Sequence, residues 1–218
     1  MSASLVSYSK PIVDETMSMV DWVAYVARVS NPANQASKES SQRLVAYLIR
    51  NQHWSPFEMV SVCMEIVTTR DIARQILRHR SFSFQEFSQR YAEVDTGVGF
   101  LLREARLQDW KNRQNSVETS DASLGAEWES LQKGVWDACS AAYQAALDKG
   151  IAKEQARCVL PEGLTPSRLY MSGTLRSWIH YIQLRSGNGT QKEHREVAMA
   201  CVAALEPVFP MIRDFVSA

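Results

Sequence analysis

Hydrophobic and polar positions alternate most clearly between Glu58 and Thr69. Val60, Val62, Met64 and Ile66 fall on one side, and Ser61, Cys63 and Glu65 on the other. A period of two predicts a half-buried strand. Leu5 to Tyr8 predicts a short strand closed by Lys10-Pro11, and Arg168 to Met171 predicts another. Elsewhere the period is helical. Met17 to Val29 carries Val20, Val23, Ala24 and Ala27 on one face and stops at Asn31-Pro32. Ser37 to Asn51 predicts a helix with Leu44, Tyr47 and Leu48 at helical spacing and Ser37 or Ser40 as its N-cap. Asp71 to about Arg80 predicts a helix with Ile72, Ile76 and Leu77 facing inward. Leu124 to Lys149 predicts a long helix ended by Gly150. Its near-heptad stripe of Leu124, Trp128, Leu131, Val135, Cys139, Ala142 and Ala146 reads as core or subunit interface. Shorter helices are predicted over Glu154 to Leu160, Thr174 to Leu184 and Gln191 to Leu205. Asp95 to Ser123 is polar and irregular, apart from a possible strand at Phe100 to Leu102, and reads as a surface excursion or lid. These elements predict an α/β (α+β) fold: one domain over residues 1–218, with a mixed or antiparallel sheet flanked by long helices.

Composition narrows the function classes. Hydrophobic residues are 45% and charged residues 22%, ordinary for a globular chain. Twenty-four basic and 24 acidic residues cancel, so overall charge gives no nonspecific pull toward nucleic acid or an anionic membrane. There is no apolar run of about 18 residues and no secretory signal, which points to the cytoplasm. Cys63, Cys139, Cys158 and Cys201 are widely spaced among apolar neighbours, as expected of reduced, buried thiols. His53, His79, His180 and His194 show no i, i+3 or i, i+4 pair, so no metal site is predicted.

The densest polar information lies in Arg74 to Tyr91. Arg78, His79 and Arg80 follow one another at a predicted helix end, where basic side chains complement the helix dipole. Continued as a helix, the segment would point Arg78 and Arg80 roughly 160° apart, toward different partners. Gln75 and Arg78 would be neighbours able to share one anion. Small hydroxyls, phenylalanines and Arg90 follow. Guanidinium forks and hydroxyl donors suit a phosphate or pyrophosphate, and a neutral chain favours a discrete nucleotide pocket.

Arg78-His79-Arg80, seven intervening residues and Ser88 resemble the signature of flavin-dependent thymidylate synthases. Ala27-Arg28-Val29-Ser30, His53-Trp54-Ser55-Pro56-Phe57-Glu58, Ala156 to Pro161, and Leu175 to His180 through Leu184-Arg185 resemble further segments of that family, in order. The resemblance implies that Ser30, Ser55, Glu58, Arg78, His79, Arg80, Arg176 and His180 hold FAD. It implies that Gln75, Glu86, Ser88, Gln89, Arg90 and Arg157 hold dUMP, with Arg185 reaching the pyrimidine. Arg185, His53 and Ser88 are then the candidate catalytic residues. The implied reaction is reductive methylation of dUMP to dTMP. NADPH reduces FAD, methylenetetrahydrofolate gives the carbon, and reduced flavin gives the hydride. A homotetramer with sites shared between subunits is implied as well.

Other readings compete at single residues. Cys158 reads as packing and not as a nucleophile. Ser88 has no histidine placed to activate it and reads as a phosphate or sugar contact. His53 would simply end a helix, His180 would be a core histidine, and His194 would be solvated. Two other functions stay open: a related flavin enzyme that leaves a hydroxymethyl group, and a non-catalytic nucleotide- or RNA-binding protein whose phenylalanines stack on bases.

Overall fold

The alternating segment becomes the second strand of an antiparallel sheet in the computed structural model, which describes residues 1–94 and 100–217. Residues 95–99, the start of the expected excursion, lie outside the described residues. The strands are β1 (Ser2–Tyr8), β2 (Ser61–Thr69), β3 (Phe82–Glu86) and β6 (Pro166–Thr174), paired in the order β1-β2-β6-β3. Every pairing is antiparallel, which settles the sheet type. Val62, Met64 and Ile66 of β2 and Leu169 and Met171 of β6 are buried on one face, as period two demands. The fold is α+β.

Helices α1 (Met19–Ala27), α2 (Ser41–Arg50), α3 (Arg70–Ile76), α6 (Leu175–Ser186) and α7 (Lys192–Leu205) supply the rest of the core. Ser18 caps α1 in a capping box with Asp21, and Thr174 caps α6 by accepting from the Ser177 amide at 3.2 Å. Ser40 precedes α2 without a side-chain cap bond. Trp178 of α6 is fully buried, and its indole N–H donates to the Val62 carbonyl at 3.1 Å. That bond satisfies the one polar atom of a large core side chain.

Several expectations give way for local reasons. The β2 strand starts at Ser61 because Pro56 opens a 3-10 turn over Ser55–Met59 that takes Glu58 with it. Helix α3 ends at Ile76, where i→i+3 bonds tighten the chain: the Arg78 and His79 amides donate to Gln75 and Ile76 carbonyls. Arg78 and Arg80 are therefore off the helix, and the 160° argument does not apply. No strand forms at Phe100 to Leu102; a small hairpin, β4 (Arg106–Gln108) with β5 (Ser116–Glu118), forms further on.

The long helix α4 (Ala122–Asp148) is capped by Asp121 and followed by Gly150 in the left-handed region, φ 77°. Its buried face is not the predicted stripe. Gln132, Trp136 and Tyr143 are buried, while Trp128, Leu131 and Val135 are 40%, 58% and 49% exposed. Gln132 clamps the backbone of Arg103 from both sides, accepting from its amide at 2.8 Å and donating to its carbonyl at 2.9 Å. Arg103 also pairs with Asp71 at 2.8 Å, and Lys192 bonds Glu104 at 2.5 Å and Glu118 at 2.8 Å. The described part of the excursion is thus tied down to α3, α4 and α7. A short α5 (Lys153–Ala156) and the 3-10 turn Arg157–Val159 lead into β6.

Candidate functional site

The described side chains gather in three places. The first lies between the end of α3 and α6–α7. Arg185 of α6 donates through Nε to His79 Nε2 at 2.9 Å. Nε2 must therefore carry a lone pair, so the His79 proton sits on Nδ1. Burial, followed by the charges of Arg185 and Arg78, holds the His79 pKa down at about 4. His79 is neutral at physiological pH, and Arg185, although lowered by burial, remains a cation. Gln75 of α3 faces the same region and bonds Gln191 and His194 at the start of α7.

His194 is completely buried, with its ring nitrogens 3.2 Å from Gln75 Oε1 and 3.2 Å from the Tyr181 hydroxyl. The expectation that it is solvated fails. Lys192, Arg195 and Glu196 stay at least partly exposed, while His194 shares the face of Val197, Ala198, Cys201 and Leu205, all buried. Burial, then Arg185 and His79, pushes its pKa down to about 3. The spacing 194, 197, 198, 201, 205 was the signal in the sequence that would have found it.

The second place joins the Ser55–Met59 turn to α6. Glu58 and Arg176 pair at 2.5 Å, and Arg176 Nε is buried with no acceptor among the described residues. His180 is exposed and meets Trp54 edge-on, with ring centroids 5.2 Å apart. The core-histidine reading of His180 is thereby overturned, because its helix position faces outward. Burial and Arg176 lower its pKa. His53, Ser55 and Ser30 are exposed.

The third place is a cavity of about 330 Å³ lined by Arg70, Arg74, Gln89, Glu154, Arg157, Cys158, Leu160 and Glu162. Two carboxylates line it, and both are engaged: Glu162 with Arg74, and Glu154 with Arg90 at 3.3 Å. Two donors are not. Among the described residues Gln89 Nε2 is buried with no partner, and Arg70 Nη1 stands 3.5 Å from Glu86 without a hydrogen bond. Unpaired buried donors around a basic cavity call for an oxygen-rich anion. Glu86 accepts from the Ser167 hydroxyl at 2.6 Å.

Arg78, Arg80, Ser88 and Arg90 are exposed. Cys158, expected to pack, is exposed as well, because the 3-10 turn Arg157–Val159 turns it outward beside the cavity; only Cys201 is fully buried, and burial raises its thiol pKa. Arg70, Tyr181, Gln191, Glu193 and His194 were missed as site-building residues. Among the described residues no cluster of ligands that could hold a metal ion exists, and no helix is long and apolar enough to cross a membrane.

The family model of the thymidylate synthase complementing protein matches residues 11–211. The chain is 48% identical over 213 residues, 97% of each chain, to a probable flavin-dependent thymidylate synthase of Paramecium bursaria Chlorella virus 1. It is 47% identical over 215 residues, again 97% of each, to the flavin-dependent thymidylate synthase of a Synechocystis strain. Its fold is similar to that of a UMP/dUMP methylase from Streptomyces cacaoi bound with 5-Br dUMP: TM-score 0.80, 28% identity, 98% of this chain and 93% of the other.

Proposed function

The chain belongs to the thymidylate synthase complementing protein family, the flavin-dependent thymidylate synthases, and we propose that its three clusters together methylate dUMP to dTMP. The observation that carries the substrate assignment is the 330 Å³ cavity with unpaired donors on Gln89 and Arg70. Phosphate oxygens would satisfy those donors, and Arg157 and Arg90 would add charge-assisted bonds. Glu86, Ser88 and Gln75 would complete the nucleotide contacts.

FAD suits the remaining donors. Arg78 and Arg80 are exposed, and Arg176 Nε is buried without an acceptor. Ser30, Ser55, Glu58, His79 and His180 would hold the rest of it. When bound, reduced by NADPH, it supplies the hydride, and methylenetetrahydrofolate supplies the one-carbon unit. The residues of this chain bind, orient and polarise. Arg185, fixed by a neutral His79, would place a permanent cation at the pyrimidine oxygens, where negative charge develops as carbon 5 becomes nucleophilic. His53 would stand at the folate side.

Assembly as a homotetramer is part of this reading. The exposed Trp128, Leu131 and Val135 of α4, which border a hollow of about 270 Å³ with Pro161 and Leu164, support it. Free cysteines support a cytoplasmic setting.

The test is NADPH oxidation by the FAD-loaded protein, without and with dUMP, followed by product identification by mass spectrometry. Stimulation by dUMP and formation of dTMP are expected. A hydroxymethyl product would replace the reaction assignment with the related one. Loss of flavin together with steep salt dependence of nucleotide binding would favour a binding protein.

A further inference from the structure

A polar chain runs from the start of α7 into the nucleotide side of the site. Glu193, 6% exposed, bonds Arg106 through one oxygen and accepts from Gln191 Nε2 at 2.9 Å through the other. Gln191 Oε1 accepts from Gln75 Nε2 at 2.8 Å. Gln75 Oε1 lies 3.2 Å from His194 Nδ1, and His194 Nε2 lies 3.2 Å from the Tyr181 hydroxyl.

The direction of every bond follows from the carboxylate at its end. A carboxylate accepts, so Gln191 turns its NH₂ to Glu193 and its carbonyl to Gln75. Gln75 must then turn its NH₂ to Gln191 and its carbonyl to His194. A carbonyl accepts as well, so the His194 proton sits on Nδ1. Its Nε2 lone pair takes the hydrogen of Tyr181. The depressed pKa of His194, about 3, agrees with a neutral ring. Flipping either amide breaks two bonds at once, in a partly buried place where water cannot freely replace them. Of the two Gln75 NH₂ hydrogens, one reaches Gln191 and the other is uncommitted.

We propose that His194 is a positioning residue for nucleotide recognition: its Nδ1–H locks the Gln75 amide so that Gln75 offers an N–H donor, and not a carbonyl, to an oxygen of the nucleotide. The inference rests on the reading that Gln75 contacts dUMP. Packing alone would not need a histidine here. A phenylalanine fills similar space, but it has neither the donor for Gln75 nor the acceptor for Tyr181.

The experiment is calorimetric titration of FAD-loaded protein with dUMP, on wild type, His194→Phe, His194→Asn, Gln75→Ala and the Gln75→Ala/His194→Phe double variant. The net worth of one such bond predicts about tenfold weaker dUMP binding for His194→Phe. Asparagine puts its amide N–H near the Nδ1 position, so His194→Asn should stay within about threefold of wild type. The double variant should bind no more weakly than Gln75→Ala, because a residue acting through Gln75 has nothing to act through once it is gone. Equal losses from His194→Phe in both backgrounds, or none in either, would overturn the inference. If His194→Phe fails to fold, His194→Gln replaces it: glutamine places its amide near Nε2 and loses the donor to Gln75. Equal dUMP affinity of His194→Gln and His194→Asn would then overturn the inference. Wild-type protein that takes up no dUMP would bring down the nucleotide reading and this inference together, whereas wild-type binding with an additive cycle brings down this inference alone.

Discussion

Gln75 and Arg78 stand three residues apart yet meet opposite surroundings. Gln75 is half-buried and bonded to Gln191 and His194 before any ligand arrives. Arg78, like Arg80, Ser88 and Arg90 beyond it, is exposed. The α6–α7 side of the site is built by folding, and its polar groups are oriented at folding's expense. The rim after α3 holds cations in water, where they cost little to keep and are free to turn toward a ligand. Substitutions on the rim should therefore strike activity and spare stability, and substitutions on the buried side should strike stability and its pH response.

The largest effect tests the rim. Arg78→Ala and Arg90→Ala should each lower dUMP-stimulated NADPH oxidation on the order of 10²–10³-fold, the usual cost of removing one partner from a charge-assisted ligand contact. Their melting temperatures should stay at the wild-type value, since exposed ion pairs such as Arg90–Glu154 add little. Near-normal turnover in both variants would break the comparison at its functional end.

The buried side predicts a pH response. His79 and His194 have folded pKa values near 4 and 3, below the unfolded value of about 6.5. As pH falls below 6.5 the unfolded chain takes up these protons and the folded chain does not. Stability should then fall by up to about 1.4 kcal/mol per pH unit for the buried His194, and by less for the half-buried His79, whose charge water partly screens. Urea unfolding at pH 6 and pH 5 reads the slope above the range where carboxylates titrate. A flat response there would show that both rings charge without cost in the folded protein.

What was legible in the sequence divides along the same line. The β2 strand was plain because one face of the sheet is buried and the other is not, so Val62, Met64 and Ile66 alternate with polar partners. The basic and hydroxyl rim was plain because its residues lie within one segment, Arg74 to Tyr91. The buried chain was not, because His194 meets partners 13 and 119 positions away, and only packing of α6 and α3 against α7 brings them together. Helix α4, whose stripe reads as core or subunit interface, does not use that stripe as core of the single chain. It carries apolar side chains on two faces, and periodicity selected the one with Trp128 and Leu131 over the one with Trp136 and Tyr143. The end of α3 misled because basic residues suit a helix C-terminus whether the helix stops at Ile76 or at Arg80.

Packing near the buried side gives a prediction of intermediate size. A Cβ at Gly173 of β6 would come within 2.5 Å of the Phe82 ring, which itself meets Trp178 edge-on with centroids 4.9 Å apart. Gly173→Ala should cost about 1–3 kcal/mol in urea unfolding, the range for overpacking. Gly163→Ala, with open space around the added carbon, serves as the control and should stay within about 0.5 kcal/mol of wild type.

The smallest effect lies where the two regimes meet. Glu58 and Arg176 are close, at 2.5 Å, but their side chains are 38% and 43% exposed. A double-mutant cycle with Glu58→Gln and Arg176→Gln should give a coupling to stability of less than about 1 kcal/mol, because water screens the pair. The same variants should weaken flavin retention far more than they weaken the fold, since Arg176 Nε is buried and has no acceptor among the described residues. Flavin content after gel filtration separates the two outcomes. A strong coupling to stability with unchanged flavin content would move Glu58 and Arg176 from the binding rim to the structural side of the molecule.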